Sequence, residues 1–136
     1  MAKLHGLSKT EKLKSRKQIE LLFATGRSFT VFPLRVSYSL SAAAGAPPLA
    51  QIGVTASKRN FKRAVDRNRI KRLLREAYRL QKIELATVLQ EKKVKAFVFF
   101  IYTGKEMPTF VQVKNAMQQC LQKLSVRTEE LNEDIS

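Results

Sequence analysis

Residues 62–79 read KRAVDRNRIKRLLREAYR and combine dense positive charge with a regular apolar pattern. Eight Lys and Arg side chains stand against two acids, Asp66 and Glu76. At about 100° per residue, the apolar side chains fall on one side of an α-helix. They are Ile70, Leu73, Leu74, Ala77, Tyr78 and Leu80. The stretch therefore predicts a helix whose apolar side packs against a core.

The opposite side of this helix is a basic face made of Asn68, Lys71, Arg72, Arg75 and Arg79. Like charges one turn apart repel each other by about 0.2–0.5 kcal/mol per pair. We expect Glu76 to pair with Arg72 and Arg79, and Asp66 with Arg69, which leaves most of the face uncompensated. A bound phosphate backbone would relieve the repulsion, and Arg binds phosphate through two parallel hydrogen bonds.

The whole chain is basic, and its charge is unevenly distributed. Its 136 residues predict a single domain, with a net charge of +15 and an isoelectric point near 10.4. Residues 1–79 hold 18 of the 26 Lys and Arg but only 4 of the 11 Asp and Glu, a net charge of +14. The partner is therefore expected to be a polyanion that binds the first part of the chain.

Nucleic acid is favoured over an anionic membrane as that polyanion. The longest apolar run, AFVFFIY at 96–102, is far short of the roughly 20 residues that span a bilayer. The N-terminal residues lack the apolar core of a signal peptide, which predicts a cytoplasmic protein with no membrane partner. No helix-turn-helix, zinc finger or basic zipper is evident, and a basic helix beside a partly open sheet suits RNA better than DNA.

The chain before the basic helix predicts a helix and two strands. Residues 1–14 are expected to be a flexible basic arm. Ser15 and Gln18 have capping-box spacing, and Gly26 is placed to end the first helix in a left-handed conformation. Alternating apolar residues predict one strand over 29–40. After a loop at 41–48, residues 49–58 predict a second strand, antiparallel to the first because the connection is short.

The remaining elements complete the domain. Asn60 is a candidate cap for the basic helix, which is expected to run to about Leu85. Residues 94–104 are nearly all apolar and predict a central strand covered on both faces. Thr109 is placed to cap a last helix with one apolar stripe, formed by Phe110, Val113, Met117, Cys120, Leu121 and Leu124.

These elements predict an α+β fold, a two-layer α/β sandwich in which helices cover one face of a small mixed sheet. The RNA-binding domain is expected to span residues 15–126. The acidic tail at 127–136 is expected to be disordered.

The sequence offers little material for catalysis by the protein itself. Its only histidine, His5, lies in the predicted arm, and Cys120 is its only cysteine, expected to be a small buried residue. Carboxylates are sparse in the basic part, and Asp66 and Glu76 are too far apart on one helix to share a metal ion. We therefore expect no catalytic residue, no metal site and no cofactor bound by the protein alone.

The residues of the basic helix resemble those of a known family. The run AVDRNRIKRLLREAYR, preceded by SKR at 57–59, resembles the Arg-Asn-Arg signature of the protein subunit of bacterial ribonuclease P. LLFATGRSF at 21–29 is similar to the first helix and turn of that family. The order of elements agrees over roughly residues 10–125, although the specific similarity is concentrated in 57–79.

The resemblance implies both a fold and a function. It implies a ribosomal protein domain 2-like sandwich with a left-handed βαβ crossover, where general rules favour a right-handed one. It also implies a subunit that binds the catalytic RNA of ribonuclease P and the 5′ leader of precursor tRNA and requires no protein oligomer. The RNA partner carries out the Mg²⁺-dependent hydrolysis that removes the leader.

Two sets of site residues follow from the resemblance. Those implied to contact RNA are Lys58, Arg59, Arg67, Asn68, Arg69, Lys71, Arg72 and Arg75. Those implied to bind the leader, in a cleft between helix and sheet, are Ile19, Phe23, Arg35 and Ser37. Ile19 and Phe23 also have the i,i+4 spacing of an ordinary packed helix, so core packing is an alternative explanation for both.

The chain departs from the family pattern at three places. Ile19 stands where a phenylalanine is common and Ser37 where tyrosine is common, which implies weaker stacking of the leader and a larger role for the charge of Arg35. NFKR at 60–63 replaces a shorter segment that contains Gly-Asn. A structural RNA-binding protein of the ribosome, an RNA chaperone and a stand-alone nuclease remain alternatives at this point.

Overall fold

The computed structural model describes residues 12–13, 15–42 and 49–135, with the backbone alone at 42 and 131–135. Three helices and four strands alternate along the chain. In chain order they are α1 (Arg16–Thr25), β1 (Arg27–Val31), β2 (Leu34–Ala42), β3 (Ala50–Ala56), α2 (Ala64–Lys92), β4 (Val94–Tyr102) and α3 (Phe110–Ile135). Most of the predicted arm at 1–14 lies outside the described residues. The predicted α+β class is confirmed.

The four strands form one mixed sheet in the order β1-β2-β4-β3. β4 pairs antiparallel with β2 and parallel with β3, as predicted for an apolar central strand. β3 runs antiparallel to β2, as predicted, but the two strands do not pair, because β4 lies between them. The helix α2 connects the end of β3 to the start of β4 across the sheet, so β3 and β4 run parallel. The left-handed sense of this β3-α2-β4 crossover stays a prediction.

The single strand predicted over 29–40 is in fact a hairpin. A turn at Phe32 and Pro33, joined by a cis peptide bond, separates β1 from β2. Proline cannot donate a hydrogen bond to a sheet and is therefore found at strand ends and turns. Phe32 concealed the turn, because it continues the even-numbered apolar series of β2 although it is 77% exposed. The core-facing side chains of β1 are instead the odd-numbered Phe29 and Val31.

The main core lies between the sheet and the pair of helices α2 and α3. Leu34, Val36, Val98 and Phe100 project from β2 and β4 and are fully buried. The apolar side of α2 is confirmed in part: Ile70, Leu74, Ala77 and Tyr78 are buried, Leu73 is half-buried and Leu80 is exposed. The predicted stripe of α3 is confirmed and includes the buried thiol of Cys120.

A smaller apolar cluster covers part of the opposite face of the sheet. Leu13, Leu22 of α1 and Phe99 of β4 are its buried members. The amide of Leu13 donates a 2.8 Å hydrogen bond to the carbonyl of Ile52, and Lys12 bridges to the same strand. The end of the predicted flexible arm is therefore fixed to the edge strand β3, because Leu13 gains burial there.

Two helix ends differ from their predictions. Ser15 caps α1 by accepting a hydrogen bond from the Gln18 amide, as predicted, but Gly26 is extended, with φ −74°. A Cβ on Gly26 would lie 2.4 Å from the Leu22 carbonyl oxygen and 2.9 Å from that of Tyr38. Close packing of α1 on β2, and not a left-handed turn, therefore requires glycine at this position.

The basic helix begins later than predicted. Arg63 occupies the N-cap position before Ala64, and its side chain forms no capping hydrogen bond. The side-chain amide of Asn60, the predicted cap, donates 3.3 Å hydrogen bonds to the carbonyls of Thr103 and Gly104. Asn60 thus ties the segment before α2 to the end of β4. The helix also extends beyond Leu85, since Leu89 is fully buried in the core.

The last helix is longer than predicted. Thr109 and Gln112 form the predicted cap reciprocally, each backbone amide donating to the other's side chain. At the far end, α3 continues to Ile135, past the predicted domain limit at 126. Thr128 is fully buried and donates to the Leu124 carbonyl, so the helix gains packing after that limit. None of the helices in the described part of the chain is long and apolar enough to cross a membrane.

Candidate nucleic-acid interface

The basic face of α2 lines one side of an open groove of about 460 Å³. The groove lies near the β3 edge of the sheet, where the segment fixed by Leu13 brings a further lysine. We call it the basic groove, and its lining residues are Lys12, Asn68, Lys71, Arg72, Arg75, Glu76 and Arg79. The structure thus brings together four of the eight residues implied to contact RNA, and Lys12 was missed because it lay in the predicted arm.

The groove is strongly positive because its lining contains more basic than acidic side chains. Glu76, its single acid, accepts hydrogen bonds from the Nε and Nη2 atoms of Arg79, one turn further along α2. The same bonds lower the pKa of Glu76 and raise the pKa of Arg79. The pairs predicted for Arg72 with Glu76 and for Asp66 with Arg69 do not occur among the described ion pairs.

Lys71, Arg72 and Arg75 consequently have no acidic partner in the described part of the chain. Five cations and one carboxylate give the groove lining a formal charge of +4. The backbone beneath these cations is fixed at two places. The buried apolar side of α2 holds the helix that carries four of them, and the hydrogen bond from Leu13 to β3 holds the segment that carries Lys12. Several uncompensated cations along one fixed helix face suit a polyanion better than a single small anion.

Arg67, the first arginine of the Arg-Asn-Arg run, turns away from this groove. Its Nη1 atom donates hydrogen bonds of 2.7 Å to the carbonyl of Phe61 and 2.9 Å to that of Lys62. These bonds hold the NFKR segment that precedes α2, where the helix lacks a conventional cap. Arg69 is exposed and lies outside the groove lining.

Lys58 and Arg59 lie on the segment between β3 and α2. Both are exposed, and Arg59 lines a separate open cavity of about 480 Å³ with Ser57, Asn60, Thr103 and Lys105. The backbone amide of Arg59 donates a 3.2 Å hydrogen bond to the Ser57 hydroxyl, which shapes the turn. These two cations are therefore adjacent to the start of α2 but do not line the basic groove.

The residues implied to bind the leader lie on the sheet face that carries α1. Arg35 and Ser37 alternate with the core residues of β2, so both belong to this face; Arg35 is exposed and Ser37 is buried. Phe23 is 50% exposed and meets Phe99 edge to face, with ring centroids 5.3 Å apart. Ile19 instead packs against the Leu13 cluster. The structure therefore separates Phe23, which is accessible, from Ile19, which supports it.

Phe99 was missed as a component of this face. Its ring lies over Gly53, where a Cβ would be 2.5 Å from two ring carbons. Phe97, two residues before it, lies beneath the ammonium of Lys95 at 5.3 Å. The signal was present in the alternation of β4, where Phe97, Phe99 and Ile101 share the face opposite the core, but the uniformly apolar strand did not show which face stays accessible.

The described residues contain no group of three or more His, Cys, Asp or Glu side chains that could hold a metal ion. Burial in the core raises the pKa of the Cys120 thiol to about 12. At neutral pH this thiol is therefore protonated and poorly nucleophilic.

Comparison with known proteins gives a consistent assignment. Residues 7–125 match the family described as Ribonuclease P. A "Ribonuclease P protein component" of Porphyromonas gingivalis is 44% identical over 120 residues, covering 88% of this chain and 87% of the relative. One of Chlorobium phaeobacteroides is 32% identical, covering 91% of this chain and 92% of the relative.

A solved structure supports the fold independently of sequence similarity. The RNase P protein of Staphylococcus aureus superimposes with a TM-score of 0.64 at 20% identity, covering 84% of this chain and 94% of that chain. The match over most of the chain, together with the two similar relatives, shows that this chain belongs to the ribonuclease P protein family and serves in the 5′ processing of tRNA.

Proposed function

We propose that the basic groove binds the phosphate backbone of the catalytic RNA of ribonuclease P. The observation that carries this proposal is the set of uncompensated cations on one fixed helix face, Lys71, Arg72 and Arg75. Asn68 adds an amide that can both donate and accept hydrogen bonds. Arg69, Lys58 and Arg59 are exposed beside this face and extend the contact.

The 5′ leader of precursor tRNA is proposed to cross the sheet face that carries Phe23. Single-stranded RNA binds by stacking bases on aromatic side chains and by placing phosphates near cations. Phe23 and Phe99 supply an aromatic surface, and exposed Arg35 supplies a charge on the same face. Ser37 and Ile19 are buried or half-buried there, and they support this surface from beneath.

The chemical step is proposed to belong to the RNA, which requires Mg²⁺, while the protein supplies charge. Catalytic RNA and precursor tRNA are both polyanions and repel each other. A protein of net charge +15 placed between them screens that repulsion and lowers the Mg²⁺ concentration needed for assembly. We place this assembly in the cytoplasm, where tRNA precursors are made, and it requires one copy of the protein.

Reconstitution tests this proposal. The full chain is combined with its catalytic RNA at low Mg²⁺, and cleavage of precursor tRNA is compared with that by the RNA alone. We expect faster cleavage with the protein, and a triple variant K71Q/R72Q/R75Q that loses most of the gain. Its affinity for catalytic RNA should also depend less on salt, by a slope of about two. Equal cleavage with and without the protein would refute the proposed role.

A charge-matched control separates the groove from total charge. Lys92, Lys93 and Lys114 lie outside the lining of the groove, and the variant K92Q/K93Q/K114Q removes the same three charges. We expect this control to lose much less affinity than the groove variant. If the two triple variants behave alike, binding depends on net charge and not on the groove.

A further inference from the structure

A second basic site lies at the other edge of the sheet, where the end of α1, the hairpin β1-β2 and the last turns of α3 meet. Here a cavity of about 240 Å³, which we call the corner pocket, has polar walls formed by Thr25, Arg27, Ser39, Arg127 and Glu130. β1 and β3 are opposite edges of the sheet, about 14 Å apart at the usual strand spacing. The corner pocket is therefore separate from the basic groove.

The backbone around the pocket is firmly held. Gly26 lets the end of α1 pack directly on β2, since any Cβ there would collide with the Tyr38 carbonyl. On the other side, Arg127 stands between two anchored positions of α3, fully buried Leu124 and Thr128. The two arginines are thus presented from rigid elements, which reduces the entropy lost when they bind a ligand.

The chemistry of the pocket favours a small anion. Arg27 and Arg127 supply two guanidinium groups, against one carboxylate from Glu130, and Arg27 is exposed. The Ser39 hydroxyl adds a possible donor, whereas the Thr25 hydroxyl already donates to the Leu21 carbonyl. The volume is below the roughly 300 Å³ at which pockets begin to hold drug-sized ligands. The lining has a formal charge of +1 from two arginines and one glutamate, which matches the single negative charge of a backbone phosphate group.

Glu130 forms a weak ion pair with Arg127 inside this pocket. Its Oε2 atom lies 3.4 Å from Nη1 of Arg127, and both side chains are about half exposed. Exposed pairs of this kind contribute little free energy, so a phosphate group can replace the carboxylate on Arg127. Lys123, one turn earlier on α3, lies over the ring of Phe29 at 5.4 Å and adds positive charge to the same surface.

We propose that the corner pocket binds a phosphate group of an RNA backbone, with Arg27 and Arg127 as its ligands and Glu130 as a competing anion. The proposal rests on the proposed RNA-binding function and adds a second point of contact to it. Arg127 and Glu130 lie beyond residue 125, where the match to the family ends. The site is therefore built in part by a segment outside the matched region.

The experiment compares three variants of the full chain, two of which have the same net charge. R27Q/R127Q removes both ligands, E130Q removes the competitor, and K92Q/K114Q removes two charges outside both sites. Affinities for catalytic RNA alone and for precursor tRNA alone are measured over a salt series. We expect R27Q/R127Q to bind one of the two RNAs about tenfold more weakly than the control, with a salt slope smaller by about 0.7–0.9.

The direction in which E130Q changes RNA affinity distinguishes a phosphate-binding role of the pocket from a purely structural one. If the pocket binds phosphate, E130Q binds the same RNA about threefold more tightly, because Arg127 loses its competitor. If Arg127 and Glu130 only brace the corner, neutralising either residue lowers stability in urea and neither strengthens binding. A weakening by E130Q, or equal losses for R27Q/R127Q and the control, would overturn the proposal.

Comparing catalytic RNA with precursor tRNA identifies which of them supplies the phosphate. Only the RNA that binds in the pocket should change its affinity in both R27Q/R127Q and E130Q. The groove variant K71Q/R72Q/R75Q is measured in parallel. If it loses binding while R27Q/R127Q behaves like its control, the corner pocket is refuted and the groove is not. If the groove variant retains full affinity, the proposed function itself fails.

Discussion

Arg67 donates a 2.7 Å hydrogen bond to the backbone carbonyl of Phe61, six residues earlier in the chain. Phe61 is buried and packs its ring against Tyr102 at the end of β4. The first arginine of a run that looked uniformly suited to RNA therefore holds the segment between β3 and α2. Within one three-residue motif, Arg67 stabilises the turn and Asn68 faces the groove.

This relationship predicts that Arg67 and Arg69 have different roles. Arg67→Ala leaves two carbonyls without their charged donor and should lower the free energy of unfolding by about 2 kcal/mol. Arg69→Ala changes an exposed side chain and should alter it by less than about 0.5 kcal/mol. Urea unfolding of both variants measures the difference. Equal stabilities would show that the hydrogen bonds of Arg67 do not hold the turn.

Gly53 predicts a steric effect on the aromatic surface. In Gly53→Ala the new Cβ would lie 2.5 Å from the Phe99 ring, so the ring must move, at a cost of about 1–3 kcal/mol. The edge-to-face contact with Phe23 would be lost as well. Adding Phe99→Leu to Gly53→Ala should recover part of the stability. Thermal unfolding of the original protein, the two single variants and the double variant measures the interaction energy between the two positions. Additive losses would contradict this packing.

Phe23 predicts a specific loss of leader binding. Base stacking on an aromatic ring contributes about 1–3 kcal/mol, and we expect Phe23→Ala to weaken binding of precursor tRNA to the holoenzyme about tenfold. Leu21→Ala is the matched control, because Leu21 lies on the same helix and is 56% exposed. Mature tRNA, which lacks the leader, should bind both variants alike. A Phe23→Ala effect that persists with mature tRNA would place its role elsewhere.

Cys120 predicts how stability depends on pH. Burial raises the pKa of its thiol to about 12 in the folded protein, against about 8.5 in an unfolded chain. Above pH 8.5 the unfolded state therefore loses its proton first, and stability falls as the pH rises toward 12. Below pH 8.5 the stabilising contribution is complete.

The variant Cys120→Ala provides the control, because other groups also titrate at high pH. Its stability should be lower at pH 7, by about 1 kcal/mol for the lost sulfur, but should fall less between pH 8 and 10.5. Urea unfolding at a series of pH values gives the difference between the two proteins. Parallel curves would contradict the shifted pKa.

The sequence allowed the helices and their buried sides to be predicted because their period is visible within one segment. The apolar side of α2 and the caps at Ser15 and Thr109 are examples of such local signals. The antiparallel direction of β3 could be predicted, but its place in the sheet beside β4 could not, because strand order depends on contacts between distant segments. The turn at Pro33 was missed because the exposed Phe32 continues the even-numbered apolar series of β2.

The site could be predicted only where its residues share one helix. The basic face of α2 follows from angular position, and the groove contains all five residues that were predicted for that face. Lys12 and Phe99 were missed because their places depend on how other segments pack against the sheet. The inward turn of Arg67 depends on the unusual NFKR segment, whose conformation no local pattern fixes.

The bond between Leu13 and Ile52 also bears on how the protein avoids aggregation. An unpaired sheet edge is a template on which another chain can add a strand. At the β3 edge this hydrogen bond already occupies part of the template. The opposite edge, β1, is only five residues long, begins with a charged arginine and is followed by the turn at Phe32 and Pro33. Both edges of the sheet are thus poor templates for the addition of a strand from a second copy of the chain.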